Sequence, residues 1–421
     1  MTPETQAHPV APQSRVAVVG AGIVGTCIAY ALCKRGLDVT LIDRDEPGRG
    51  CSFGNSGAIS PGSVVPLAMP GVMAAVPAML RDPEGPLHLP LGYLLRATPW
   101  LLRFVAAARP SRVAAIADQL AALHRGAVAR HLALAQEVGV PDLILQRGHL
   151  HLYPDAQAFA KDAAAWQLRE AHGYRVERLD RAGILALEPG IPARYTVAAF
   201  LTDHATVRNP FRYVEAIARA FSAAGGRIHR ADVRSIGPTS GGGWRVHLGD
   251  ANLAFAHIVV AAGAWSRRLL DPLGLRLPLE SQRGYHVQYR GSSPVSRTVV
   301  LADRKVFVTP MEDGLRVGGT VEIGGLDAPP QPRRAAVLAR IARETFGDAL
   351  DAAGATTWMG HRPCMPDSLP VIGPAEGCPG LWLAVGHGHL GLTDAPATAA
   401  RIADAMAGSA SHEDASAQRG G

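Results

Sequence analysis

Three stretches of this sequence combine residue types that can hold an anion, grip a carboxylate or move a proton. The first is Arg15 to Arg44, RVAVVGAGIVGTCIAYALCKRGLDVTLIDR. Gly20, Gly22 and Gly25 form GxGxxG around Ile23 and Val24, and Asp43 follows 23 residues after Gly20, with Arg44 next to it. Gly20 permits a tight turn, Gly22 lets backbone approach a pyrophosphate, and Gly25 lets the helix lie close to the strand. Free N–H groups and the dipole at the helix start favour the anion. Asp43 stands where a carboxylate accepts hydrogen bonds from an adenosine ribose. The motif alone does not separate FAD from NAD.

The second stretch is Gly360-His361-Arg362-Pro363, continuing as CMPDSLPVIGP. An arginine held beside proline can present its fork to a carboxylate in a bidentate, charge-assisted contact. On spacing alone, an arginine bonding loop carbonyls fits equally well. The third is Val385 to Thr393, VGHGHLGLT, which opens a helix and so favours negative charge developing on a ligand. His387 and His389 are acid–base candidates there, although histidines beside glycines are more often hydrogen-bonded loop residues. Tyr285, in RGY at 283–285, either hydrogen-bonds a substrate or fills a sheet face. The chain has no short paired-carboxylate motif, HExxH, GxSxG or Cys/His cluster of metal-ligand spacing, so no metal is expected. A dinucleotide site without an acid–base set leaves the hard chemistry to the cofactor.

The elements that position these residues follow from periodicity. Val16 to Val19 and Val39 to Ile42 are apolar runs suited to buried parallel strands, joined by a helix from Ile23 to Arg35. His257 to Trp265, HIVVAAGAW, is another such strand ending in a small-residue turn, and Leu381 to Val385 is the last. A Rossmann-like sheet that resumes after some 200 residues implies a discontinuous cofactor domain. Between these strands the pattern predicts one long helix over Arg112 to Glu137 and a strand or hairpin over Leu143 to Tyr153. Alternating segments in Leu275 to Gly319 predict an antiparallel sheet. Thr357 to Pro374 reads as loop.

The fold class is therefore α/β: a discontinuous Rossmann-like dinucleotide-binding domain (15–90, 206–270 and 355–408) with a substrate domain of mostly antiparallel sheet and helices (91–205 and 271–354). Residues 1–14 are expected to form a disordered extension and 409–421 a disordered tail, and no signal-peptide pattern begins the chain.

Composition narrows the functional classes. The 421 residues carry a net charge of +6, dispersed along the chain, with Lys34, Lys161 and Lys305 the only lysines among 42 basic residues. Without a basic run, nucleic acid is not an expected partner. Five cysteines form an odd set without CxxC spacing, which fits a reducing, cytoplasmic setting. Leu89 to Ala108 is interrupted by Arg96, Pro99 and Arg103 and reads first as an amphipathic helix on the protein's own core. Its second reading is a peripheral contact with the inner membrane or a partner subunit.

Seven segments together resemble the FAD-dependent D-amino acid dehydrogenase family, within the larger D-amino acid oxidase and glycine oxidase group. They are VAVVGAGIVG (16–25), SFGNSGAISPG (52–62), DPEGPL (82–87), WLLRF (100–104), RGYH (283–286), GHRPCMPDSLPVIGP (360–374) and GHGHLGLTDAPAT (386–398). The resemblance implies FAD as cofactor, with Gly20 to Gly25 and Asp43 on the pyrophosphate and ribose. Asn55, Ser56, Gly57 and Ser60 would line the flavin, Val233 would touch the adenine through its backbone, and Gly263 would lie by the cofactor. Gly388, His389, Leu390, Gly391, Leu392 and Thr393 would face the pyrimidine end of the ring. Arg362 matches the arginine that grips a substrate α-carboxylate, and Cys364 is a free thiol rather than a flavin tether. Where the glycine oxidase branch carries a tyrosine in KVFVTP, this chain has Phe307.

The implied activity is oxidation of the Cα–N bond of a D-amino acid or cyclic imino acid, hydroxyproline among them, to an imine. The hydride would pass to flavin N5 and the electrons onward to a quinone or respiratory carrier. An O2-using amine oxidase of the glycine or sarcosine oxidase kind, or a non-catalytic flavoprotein subunit, are the rival expectations.

Overall fold

A computed structural model describes residues 15–71, 82, 85, 87–249 and 251–417, with side chains through 407. The expected extension 1–14 lies outside the described residues. Six strands form the first sheet, in the order Arg227–Arg230, Asp38–Asp43, Arg15–Val19, His257–Val260, Leu381–Val385, Val371–Pro374. The first five run parallel and the last antiparallel. Arg15–Val19 is apolar on both faces because both are covered. Val16 and Val18 meet the helices Ile23–Cys33, Pro210–Ala223 and Gly391–Ala417. Ala17 and Val19 meet a small antiparallel sheet of Val233–Pro238, Trp244–Leu248 and Ala251–Phe255. Phe221, Ile28 and Leu32 are fully buried in the helical layer, each worth about 1.5–3 kcal/mol of transfer free energy.

The second sheet is larger and mixed. Its order is Asp351–Cys364, Glu280–Arg290, Gly314–Ile323, Val306–Met311, Thr298–Leu301, His149–Tyr153, Val197–Leu201, Glu177–Leu179, with Leu87–His88 beside Gly314–Ile323. Helix Pro332–Phe346 covers one face through Leu338 and Ile341, against Val287, Val308 and Val317. On the opposite face His286 and Arg316 meet the backbone carbonyls of the Phe53–Asn55 loop.

Several expectations are corrected. The helix over 112–137 is two helices, Pro110–His124 and Ala127–Glu137, because Gly126 at φ +70° breaks the run. Leu143–Tyr153 is not a hairpin: Ile144–Leu145 pairs with Ala205–Val207 in a separate small sheet, while His149–Tyr153 joins the large one. Residues 357–364, expected as loop and grouped with the cofactor segments, belong to the edge strand Asp351–Cys364 of the large sheet. An edge strand tolerates Pro363 and shows no clean alternation, so its sequence does not announce it. The final helix continues to Ala417 through part of the expected tail, consistent with the absence of Pro and Gly from residues 409–417. Residues 418–421 lie outside the described residues.

Candidate functional site

The parallel strands Arg15–Val19 and His257–Val260 are neighbours whose following segments diverge, and a ligand cleft is expected outside the carboxyl ends of such a pair. A cleft of about 350 Å³ lies there. Gly20 turns the chain at φ +108°, where a Cβ would stand 2.4 Å from the Ala261 carbonyl oxygen. A Cβ on Gly25 would stand 1.8 Å from the Gly20 carbonyl oxygen, so neither position admits a side chain. Gly22 caps helix Ile23–Cys33 without a side-chain bond. It lines the cleft with Gly20, Ile23, Val24, Asp43, Arg44, Val233 and Gly263. Asp43 accepts the Ala21 N–H (2.7 Å) and, through its other oxygen, the Asp45 N–H (3.0 Å). It thereby braces the glycine turn, and each oxygen keeps a lone pair for a ribose. Ser52, which the sequence reading did not assign, accepts the Ile23 N–H at 2.9 Å and ties the following loop to the helix start. Arg44 stacks over Trp265, whose ring meets His361 edge-on at 5.1 Å.

A cradle of glycines at a helix N-terminus, with an acid at the next strand's end, fits a dinucleotide. The other expected cofactor residues divide into lining and bracing positions. Asn55, Gly388, Gly391 and Leu392 line the cleft. Ser56 is half-buried beside Gly57, whose carbonyl accepts the Val207 N–H at 2.7 Å. Ser60 donates its N–H to Thr393 Oγ1 (3.0 Å), so these two clasp the Ala58–Ser60 loop to the closing helix. Leu390 is buried and His389 exposed.

Buried histidines hold the walls. Gly62 N–H donates to His204 Nε2 (3.1 Å), His204 Nδ1 meets His149 Nδ1 (3.1 Å), and His149 Nε2 meets the Ala205 carbonyl (2.8 Å). An amide only donates and a carbonyl only accepts, so both rings are neutral and each tautomer is set. His131 Nε2 likewise donates to the Leu392 carbonyl at 2.8 Å. His124 Nδ1 donates to the Pro61 carbonyl (3.2 Å), and its Nε2 stands 3.2 Å from Asp394 Oδ1, both side chains being buried.

His387, expected as an acid–base group, lines the cleft, and its ring is also held from within the protein. Its Nε2 lies 2.9 Å from Thr398 Oγ1 in the closing helix, and burial pushes its pKa down to about 4. Its ring is engaged inside the protein.

In the large sheet Arg362 lies next to the cleft without lining it, between His361 and Pro363, which do. Arg362 lies directly opposite Gln282, and the neighbouring cross-strand pairs on that face are Gly360 with Gly284 and Trp358 with His286. Its Nη1 donates to the Thr320 carbonyl (3.1 Å), on a residue held at φ +59° in a register shift of the sheet. Among the described residues it forms no ion pair, so the guanidinium lacks a carboxylate. Glycines make the room. A Cβ on Gly284 would stand 2.2 Å from the guanidinium, and one on Gly54 or Gly360 would stand 2.1 or 2.0 Å from the Trp358 ring.

Gly284→Ala is therefore expected to preserve the fold and cofactor binding while displacing Arg362. At least about a tenfold rise in KM, the scale of one weakened charge-assisted bond, should appear in steady-state kinetics. An unaltered KM would contradict the geometry.

Tyr285 is corrected by the same alternation. It points to the opposite face, donates to Glu322, accepts the Gln331 N–H at 3.0 Å, and sits in the core beneath helix Pro332–Phe346. Burial raises its phenol to about 12. Glu322 also holds the fully buried Arg283 at 3.0 Å. This network anchors the sheet and does not meet the cleft. Among the described residues no cluster of metal ligands occurs.

A family model described as "FAD dependent oxidoreductase" (DAO) matches residues 15–405. A protein of Bradyrhizobium diazoefficiens named D-amino-acid oxidase is 37% identical over 94% of this chain and 96% of its own. One of Rhizorhabdus wittichii named D-amino acid dehydrogenase is 32% identical over 94% and 96%. The crystal structure of glycine oxidase from Bacillus cereus superposes with a TM-score of 0.72 at 18% identity, covering 94% of this chain and 95% of that one. With the glycine cradle, the cleft and this match over nearly the whole length, the chain belongs to the DAO family of FAD-dependent oxidoreductases.

Proposed function

We propose that this enzyme oxidises the Cα–N bond of a D-amino acid to an imine, which water then hydrolyses. The observation that carries the reading is Arg362, a guanidinium without a carboxylate partner among the described residues, set beside the cleft in space left by Gly284. Bound FAD supplies the acceptor for the two electrons that leave the Cα–N bond. Arg362 takes the α-carboxylate in a bidentate contact and thereby aims Cα. The row Trp358, His286, Gly318 and Phe307 runs across the sheet on the same face and forms the wall for the substrate side chain. His286 is held neutral by burial, down to about 3, so that wall carries no competing imidazolium charge. The printed names of the two relatives also support a D-amino acid.

A quinone or another respiratory carrier is the proposed electron acceptor, after the dehydrogenase relative. The oxidase name of the 37% relative favours O2 as the second reading. Anaerobic mixing of the holoenzyme with D-amino acids, their L-forms, hydroxyprolines and sarcosine tests the reading. Bleaching of the flavin bands by D-amino acids and not by L-forms is the expected result. No bleaching with any of them would overturn it, and hydrogen peroxide formed once per turnover in air would establish O2 as acceptor.

A further inference from the structure

The helix Leu91–Ala107 is apolar on two faces, and only one has a partner. Ala97, Trp100 and Ala107 are buried, with Tyr93, Leu101 and Phe104 packed beside them. On the other face Leu91 and Leu95 are each 87% exposed and Leu102 67%, with Leu94 and Val105 beside them. Positions 91, 95, 98, 102 and 105 recur at helical spacing and make one stripe, about 21 Å long at 1.5 Å per residue. Thr98 does not interrupt it, because its hydroxyl donates back to the Leu94 carbonyl at 2.8 Å. Five of the eight large exposed apolar side chains among the described residues lie on this helix. A sixth, Leu67, lies on the loop whose Val64 and Ala68 pack against Phe104 and Ala107. Scattered single leucines need no account, but a contiguous stripe does.

Charge decides what covers it. From Gly85 to Ala117 the sequence has no Asp or Glu, while Arg96, Arg103, Arg109 and Arg112 are all exposed. Among the described residues none of the four forms an ion pair. A second copy packed on the same stripe about a two-fold axis would set arginines against arginines, which is costly. An apolar stripe with an all-cationic flank instead complements an anionic interface, with leucines at the acyl boundary and guanidinium groups at the headgroups. We propose that this helix docks the enzyme on an anionic lipid bilayer, lying in the interface plane without crossing it. No helix among the described residues is long and apolar enough to cross a membrane. The docking does not depend on which substrate the enzyme takes.

The test is co-sedimentation of the purified holoenzyme with vesicles of phosphatidylglycerol and phosphatidylcholine in equal parts, against vesicles of phosphatidylcholine alone. Binding to the mixed vesicles that weakens with added salt is expected. Leu95→Glu/Leu102→Glu should cut it about tenfold or more, with flavin absorbance and turnover towards a soluble dye acceptor unchanged. Arg96→Gln and Arg103→Gln should each cost about fivefold on mixed vesicles and nothing on the neutral ones. The proposal is overturned if the wild type stays in the supernatant with mixed vesicles, or if the leucine variant sediments equally well. It is also overturned if that variant converts a solution dimer to a monomer while leaving vesicle binding intact.

Discussion

Arg362→Ala is expected to lower kcat/KM by about two to four orders of magnitude, nearly all of it through KM. Among the described residues the side chain has one acceptor, the Thr320 carbonyl, and no carboxylate within ion-pair distance. Two charge-assisted N–H···O bonds to a substrate carboxylate contribute about 1.5–3 kcal/mol each, and each 1.4 kcal/mol is about tenfold. The contact exists in the bound substrate and in the transition state alike, so its loss raises KM rather than lowering kcat. Arg362→Lys keeps the charge but not the planar fork and should fall between the two. Flavin absorbance and FAD affinity should stay at wild-type values in both, because Arg362 does not line the cofactor cleft. A kcat/KM within about threefold of wild type in the alanine variant would remove Arg362 from substrate binding.

Mild acid is expected to unfold the enzyme. His131, His149 and His387 are buried, and burial lowers each from 6.5 to about 4. The sign follows from proton counting: between those values the unfolded chain binds protons that the folded chain does not, so stability rises with pH and is lost as pH falls. The full contribution is present above about pH 6.5 and disappears on the way to about pH 4. Three such groups give a slope of roughly 4 kcal/mol per pH unit, or about 6 kcal/mol by pH 5. That is comparable with the entire stability of a typical domain. Urea unfolding of the holoenzyme from pH 8 to pH 5 should show the midpoint constant at first, then falling steeply below about 6.5. His149→Gln should reduce the slope by about a third. Equal stability at pH 7 and pH 5 would contradict the assignment of neutral, buried rings.

How far the site could be read from sequence depends on the kind of constraint. Gly20, Gly22, Gly25 and Asp43 were legible because their spacing follows from one local β-α-β geometry. The strand His257–Val260 was legible because burial on both faces demands an unbroken apolar run. Arg362 was legible as a residue, but not its setting, since the strand that carries it lies at a sheet edge and mixes Gly, Thr, Trp, His and Pro. Gly284 went unassigned inside a motif already noticed. Its reason for being glycine is a side chain 78 positions later, and no local pattern carries that information. Tyr285 was misplaced for a related cause: which way a side chain faces depends on register and partners, and residue type alone does not state it. Ser52 is the same case, a hydroxyl whose partner is the start of a helix built 29 residues earlier.

The cleft's two walls come from opposite ends of the chain. Gly20 to Val24 supply one, and Ala384 to Leu392 the other. Strand Leu381–Val385 pairs with His257–Val260, and helix Gly391–Ala417 rests on Ile23–Cys33. A ribosome adding about 5–20 residues per second leaves the first glycine turn waiting roughly 20–70 s for its counterpart. During that time apolar Val16, Val18, Ile28 and Leu32 have no closing helix over them, and the flavin has half a socket. Cofactor loading thus waits until Leu392 has emerged, and a nascent chain stalled or truncated before Leu381 is a candidate for chaperones and proteases rather than an enzyme of lower activity.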